Sequence, residues 1–139
     1  MAIRVAWDRD DPRIIRAVFE GSWSLQEFRA VVDQIMVLAN SRPQPVGVII
    51  DVSASAHLPG NFMGHATKHI EQPDSSRKRN VAIYTVVGAS PVIQAMYNAF
   101  FRVFPASTMR QRVVLVDDAA DARTLIAARL EKVVETVYE

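Results

Sequence analysis

The first twenty residues alternate between apolar and polar side chains in two short runs. Ile3, Val5 and Trp7 form the first run, and residues 14–20 alternate again after a turn-forming segment, residues 8–12, that holds three aspartates and a proline. Alternation with a period of two is typical of a strand with one buried face. The pattern therefore predicts an N-terminal β-hairpin.

Apolar residues then recur at intervals of three and four, which predicts an amphipathic helix over residues 24–40. Ser24 is followed three residues later by Glu27, a capping-box pattern in which each side chain satisfies a free backbone N–H of the other residue. The positions on the apolar stripe are Leu25, Phe28, Val31, Val32, Ile35 and Leu38.

Three later segments, residues 46–50, 81–87 and 113–116, are apolar throughout. Continuous apolar runs are typical of parallel strands that are covered on both faces. We therefore expect three central parallel strands.

Helical patterns separate and follow these strands. A weak one covers about residues 60–71, a second covers residues 91–104, and the last begins at Asp118, with a stripe of Ala122, Ile126, Leu130, Val133 and Val137. The order predicts one α/β domain over residues 1–139, built from an N-terminal β-hairpin and three parallel β-α units with right-handed crossovers. Its mixed sheet would have five strands and about four helices.

Composition and charge exclude several classes of protein. The absence of cysteine in 139 residues excludes disulfides, thiolate metal sites and cysteine nucleophiles. The net charge of +1 provides no field that would attract nucleic acid. Aspartates interrupt the N-terminus where a secretory signal needs an apolar run, and no window approaches the roughly 18 apolar residues of a membrane span. We expect a cytoplasmic protein with no membrane span and no nucleic-acid partner.

This order of elements resembles the SpoIIAA-like family, which has the STAS-type fold of anti-anti-sigma factors, and especially its small stand-alone bacterial domains. The resemblance covers nearly the whole chain. It is carried by the hairpin with the helix from Ser24, the strand VGVIID, and the run VAIYTVVGASPVIQAMYNAFFRVFP with the strand and helix after it. It implies a regulatory or binding module rather than an enzyme.

Some members of that family are switched by phosphorylation of a serine in an Asp-Ser-Ser-Gly-like turn that opens the second helix. The corresponding stretch here is DVSASAHLPGNF, residues 51–62, in which residues 58–60 stand where that turn should be. Ser53 and Ser55 lie earlier in this loop and do not match the motif. We therefore expect the loop to remain unphosphorylated.

The carboxyl ends of the three parallel strands form a candidate ligand site, because ligands of parallel α/β sheets gather at that edge. If the strands are neighbours in sequence order, two carboxylates flank a helix start whose free N–H groups carry partial positive charge. Asp51 ends the first of these strands, a Gly-Ala-Ser turn follows the second, and Asp117 follows the third. The candidate set is Asp51, Ser53, Ser55, Gly88, Ser90 and Asp117.

Local structure alone also accounts for several of these residues. Ser90 can cap the helix that starts at Pro91, and Asp117 or Asp118 can cap the last helix. The stretch GASP also lacks the spacing and the lysine of a phosphate-binding loop. The sequence leaves both interpretations open.

The helix over residues 91–104 carries an apolar arc of about 200°, about twice what a helix on one sheet needs. The surplus must be covered by a neighbouring helix, by a second subunit or by a lipid-like ligand. We expect Phe100 and Phe104 to face the sheet. The candidate interface residues are Val92, Met96, Tyr97 and Phe101.

The remaining polar patterns do not indicate chemistry. His65 and His69 would share a helix face, but HATKH lacks the glutamate of zinc-protease helices, so with His57 they are interpreted as solvent-facing. The basic residues 77–79 are interpreted as part of a solvated loop. No serine lies in a G-x-S-x-G elbow. We expect no catalytic residues, no metal and no cofactor.

The main functional hypothesis is a non-enzymatic module that binds a second copy of itself or another protein through residues 91–104 and 52–62. The alternative is a carrier or sensor of a small apolar or acyl ligand, by analogy with lipid-carrier domains of similar fold. An enzyme that uses Asp51 and Asp117 ranks third.

Overall fold

The computed structural model describes residues 3–55, 81–91, 93–95, 97, 98 and 113–138, with side chains as far as residue 132. The strands are β1 (Ile3–Trp7), β2 (Ile14–Gly21), β3 (Val46–Ser55), β4 (Val81–Val87) and β5 (Val113–Val116). The helices with described bounds are α1 (Leu25–Asn40) and α2 (Ala119–Tyr138). A further helical segment begins at Pro91 and includes residues 93–95, 97 and 98.

The five strands form one mixed sheet in the order β1-β2-β3-β4-β5. β1 and β2 are antiparallel, and the backbone N–H of Asp8 donates to the carbonyl of Ile14 at 2.8 Å to close their turn. The other three pairs are parallel. The predicted hairpin, the parallel strands and their sequence order are confirmed.

β5 lies at the edge of the sheet, so its expected central position is wrong. Val113 packs in the core on one face, whereas Val114 and Val116 pack on the other. An edge strand that is covered on both faces has a continuous apolar sequence, as a central strand does, so the sequence pattern does not distinguish the two positions.

Two apolar cores lie on opposite faces of the sheet. The first contains Phe28, Val31 and Ile35 of α1 packed on alternate side chains of β1 and β2. The second places Ala122, Ile126 and Leu130 of α2, three members of the predicted stripe, against Ile14 of β2 and apolar side chains of β3 and β4. The side chains of the other two members, Val133 and Val137, lie outside the described part of the chain. We call these sides of the sheet the α1 face and the α2 face.

The capping box of α1 forms as expected. The Ser24 hydroxyl accepts from the Glu27 backbone N–H at 3.1 Å, and the Glu27 carboxylate accepts from the Ser24 backbone N–H at 3.2 Å. These bonds satisfy two donors that a helix start leaves free, so a local signal sets where α1 begins.

β3 continues to Ser55, five residues beyond the predicted end at residue 50. Ser53 and Ser55 are therefore strand residues and not loop residues, and Asp51 lies within the strand and not at its end. Parallel pairing with β2 extends as far as Gly21 opposite Ser55, and these backbone bonds hold the polar end of β3 in the sheet.

The described residues contain three helical segments rather than about four. The stretch 60–71, where the fourth was expected, lies outside them, as does the loop 71–80. Within the described part of the chain, no helix has the length and apolarity that crossing a bilayer requires.

Candidate functional site

The carboxyl edge of the parallel strands holds a shallow depression of about 210 Å³ between the ends of β4 and β5. Its lining residues are Gly88, Ala89, Gln94, Leu115, Val116 and Asp117. Two residues of the candidate set, Gly88 and Asp117, therefore meet here.

Asp51 forms a second polar group, beside this depression. One carboxylate oxygen accepts from the backbone N–H of Ser53 at 3.0 Å and from its hydroxyl at 2.5 Å, and the other accepts from Nη2 of Arg16 at 3.3 Å. Partial burial opposes ionisation, but the hydrogen bonds from Ser53 and Arg16 outweigh it and lower the pKa of Asp51 below its ordinary value of 3.8. The carboxylate is ionised at neutral pH, and its partners lie within the chain.

The turn after β4 touches the end of β3 at Gly88. This glycine has φ +76°, and a Cβ atom at this position would lie 2.5 Å from the Cβ of Ser53. Gly88 therefore satisfies both the backbone conformation and the close approach of the two strands. The contact places Ser53 next to the depression that Gly88 lines.

The Ser55 hydroxyl already accepts a hydrogen bond from a side chain of the same chain. The indole N–H of Trp23 donates to the Ser55 hydroxyl at 2.8 Å, and the Trp23 ring packs edge-on against Phe19 with a centroid distance of 4.9 Å. Ser55 thus anchors the start of α1 to the sheet.

Ser90 begins the helical segment at Pro91. Its hydroxyl accepts from the backbone N–H of Ile93 at 3.3 Å, and its carbonyl accepts from the backbone N–H of Gln94 at 2.9 Å. Asp118, rather than Asp117, caps α2, because its carboxylate accepts from the backbone N–H of Asp121 at 2.8 Å. Asp117 is exposed at the depression.

Among the interface candidates, Tyr97 is half-buried against the core on the α1 face, and its hydroxyl donates to the carbonyl of Val113 at 2.7 Å. This contact joins the helical segment to β5. Several other predicted residues lie outside the described part of the chain: Val92, Met96, Phe100, Phe101, Phe104, His57, His65, His69 and residues 77–79.

Sequence reasoning did not single out Arg16 and Trp23, which hold two of the candidate residues. The alternation in IIRAVFE places Arg16 on the face opposite Ile15 and Ala17, and this was the available signal. It could not show that Asp51 is the partner, because the register between β2 and β3 is set by tertiary pairing.

The chemistry available at this edge favours contact over catalysis. A carboxylate with a lowered pKa is a poor general base, so Asp51 is poorly suited to activate the Ser53 hydroxyl that it holds. The described residues include no group of three or more acidic, histidine or cysteine side chains that could hold a metal ion. What the edge presents is an exposed carboxylate, exposed hydroxyls and a few apolar side chains.

Comparison with known proteins gives a match in structure alone. No protein-family model and no curated protein matches this sequence. A crystal structure of an anti-sigma factor antagonist from Mycobacterium paratuberculosis superposes with a TM-score of 0.54, over 90% of this chain and 94% of that chain, at 16% sequence identity. The chain therefore has the STAS-like fold that its order of elements resembles.

Proposed function

We propose that this chain, a STAS-like domain, is a non-enzymatic regulatory module that binds a protein through the carboxyl edge of its sheet. The partner is a second copy of the chain or a different protein, and the site of action is the cytoplasm. The observation that carries the proposal is the superposition, over nearly the full length of both chains, on an anti-sigma factor antagonist.

The edge itself supports this function through its internal hydrogen bonds. Asp51 is satisfied by Ser53 and Arg16, and Ser55 is satisfied by Trp23, so these groups are already fixed in position. A surface that is ordered before binding loses little conformational entropy on association. Because Ser53, Ala54, Ser90 and Asp117 are exposed along the same edge, a partner can contact them without unfolding the strand ends.

The test is native mass spectrometry of the full chain purified from the cells that produce it. We expect an assembly, either a homo-oligomer or a complex with a second protein. Asp117→Arg should reduce the assembled fraction about tenfold or more, because the reversed charge must be buried or repelled at the contact. Circular dichroism should show an unchanged fold, since Asp117 is exposed.

The matched control is Asp33→Arg, which makes the same charge change on the exposed side of α1 and should leave the assembly intact. Equal loss of assembly in both variants would contradict a contact at the carboxyl edge. A wild-type monomer that retains an apolar molecule would instead support the carrier alternative.

A further inference from the structure

Among the described elements, α2 leaves uncovered the part of the α2 face that lies over the hairpin. α2 contacts β3, β4 and β5, and a groove of about 540 Å³ lies beside it over β1 and β2. We call this the hairpin groove. Ala6 and Val18 supply apolar surface, and four arginines line it: Arg4, Arg9, Arg16 and Arg123.

We propose that the hairpin groove binds the phosphate or carboxylate group of a small organic anion, held mainly by Arg16. A guanidinium group has five N–H donors in a planar fork whose geometry matches both anionic groups. The volume of the groove lies within the range of small-molecule sites. The apolar side chains of Ala6 and Val18 provide a contact for the remainder of the molecule.

The hydrogen bonding of Arg16 is the observation that indicates a ligand. Its Nη2 donates to Asp51 at 3.3 Å, and its Nε–H is buried without an acceptor among the residues that the structure describes. A buried donor without an acceptor is costly and rare in folded proteins. An anion in the groove would supply this acceptor after a small rotation of the side chain.

The carboxylates that line the groove are already paired. Asp8 accepts from Nε and Nη2 of Arg123 at 2.9 and 3.0 Å, and Asp10 lies 3.3 Å from the same Nη2. The Asp8 side chain is 2% exposed and does not present its charge to an incoming anion. Arg123 thus holds the buried charge of Asp8, whereas the Asp10 side chain is 72% exposed and keeps its charge beside the groove.

Two further carboxylates pair with the groove arginines from outside it. Glu20 contacts Arg4 in an ion pair with both side chains well exposed, a kind of pair that contributes little in water and exchanges readily. Asp51 keeps its two hydrogen bonds from Ser53 if Arg16 turns away. Binding therefore depends on unused N–H donors and not on a net positive field.

The experiment is an NMR titration of the full chain that follows the Arg16 Nε–Hε signal and the backbone amides of β1 and β2. The probes are inorganic phosphate, phenyl phosphate and octanoate, with sodium chloride at equal ionic strength as the control. We expect a saturable shift with at least one of the three anions and none with chloride. Tighter binding of phenyl phosphate than of phosphate would show that the apolar surface contributes, and a response to octanoate alone would identify a carboxylate ligand.

Variants test the assignment to Arg16. Arg16→Gln should weaken binding about tenfold or more, and Arg9→Gln, in the exposed turn, should weaken it less. Asp51→Asn should tighten binding about two- to five-fold, because it removes a competing charge. Arg29→Gln, on α1 at the other face, should bind as the wild type does. The proposal is overturned if no probe saturates, or if Arg16→Gln binds as tightly as the wild type.

Discussion

Gly88 lines the depression and packs against Ser53, so it connects the two polar groups of the carboxyl edge. Its φ of +76° is unfavourable for residues with a side chain, and the space beside it is filled by Ser53 of β3. Gly21 also has a positive φ, of +61°, but nothing lies within 4 Å of the position that its Cβ would take. A comparison of the two glycines therefore separates the cost of backbone strain, which both positions share, from the cost of close packing, which applies at Gly88 alone.

We expect Gly88→Ala to lower the free energy of unfolding by about 2–4 kcal/mol. Part of this cost comes from the left-handed backbone conformation, and the rest comes from a steric clash with Ser53 that neither strand can relax. Gly21→Ala should cost about 1 kcal/mol, from the backbone alone. Urea denaturation of both variants measures the difference. Equal costs would show that the turn after β4 moves freely away from Ser53.

At the scale of elements, the close seating of α2 on β3 depends on a position without a side chain. A Cβ atom at Gly47 would lie 2.3 Å from Cγ2 of Ile126, which is fully buried. The absent side chain lets the helix approach the sheet, and Ile126 fills the space.

Gly47→Ala should therefore destabilise the protein by about 1–3 kcal/mol through overpacking. Ile126→Val alone should cost about 1 kcal/mol as a loss of buried volume. In the double variant the two costs should partly cancel, because the smaller side chain makes room for the new methyl group. A double-mutant cycle by urea denaturation measures this coupling, and strict additivity would contradict the contact.

At the scale of the whole molecule, ion pairs of Arg123 with Asp8 and Asp10 join the first hairpin turn to the last helix. Arg123 of α2 donates twice to Asp8, a residue 115 positions earlier in the chain. The hydrogen bonds from Arg123, more than the opposing effect of burial, lower the pKa of Asp8 below its ordinary value of 3.8. A carboxylate with a lowered pKa in the folded state stabilises that state above its unfolded pKa, and this stabilisation is lost as the pH falls through the folded value.

We therefore expect the free energy of unfolding to fall as the pH is lowered below about 4. Asp8 contributes part of this pH dependence, together with Asp11 and Asp51, whose pKa values are also lowered. Asp8→Asn should cost about 2 kcal/mol at pH 7 and flatten the acid slope. Glu20→Gln, which removes an exposed ion pair with Arg4, should cost less than about 1 kcal/mol. Denaturation curves from pH 3 to 7 check both, and an unchanged slope in Asp8→Asn would show that this pair does not stabilise the fold.

The sequence by itself determined the type and the order of the elements that the structure describes. Local patterns of a few neighbouring residues were enough to predict several of them. Examples are the alternation around Val5, the capping box of Ser24 with Glu27, and the continuous apolar run at β4. The cap at Ser90 was foreseen in the same way, as one of two open interpretations. The stripe through Ile126 predicted the buried side of α2 because helical periodicity places its members on one face.

Only the tertiary structure decided what the polar residues contact. These contacts join positions far apart in the chain. They are the backbone pairing that extends β3 to Ser55, the hydrogen bonds of Arg16 with Asp51 and of Trp23 with Ser55, and the ion pair of Asp8 with Arg123. Their partners depend on strand register and on where a helix crosses the sheet. These follow from the packing of the whole core and leave no periodic signal in the sequence.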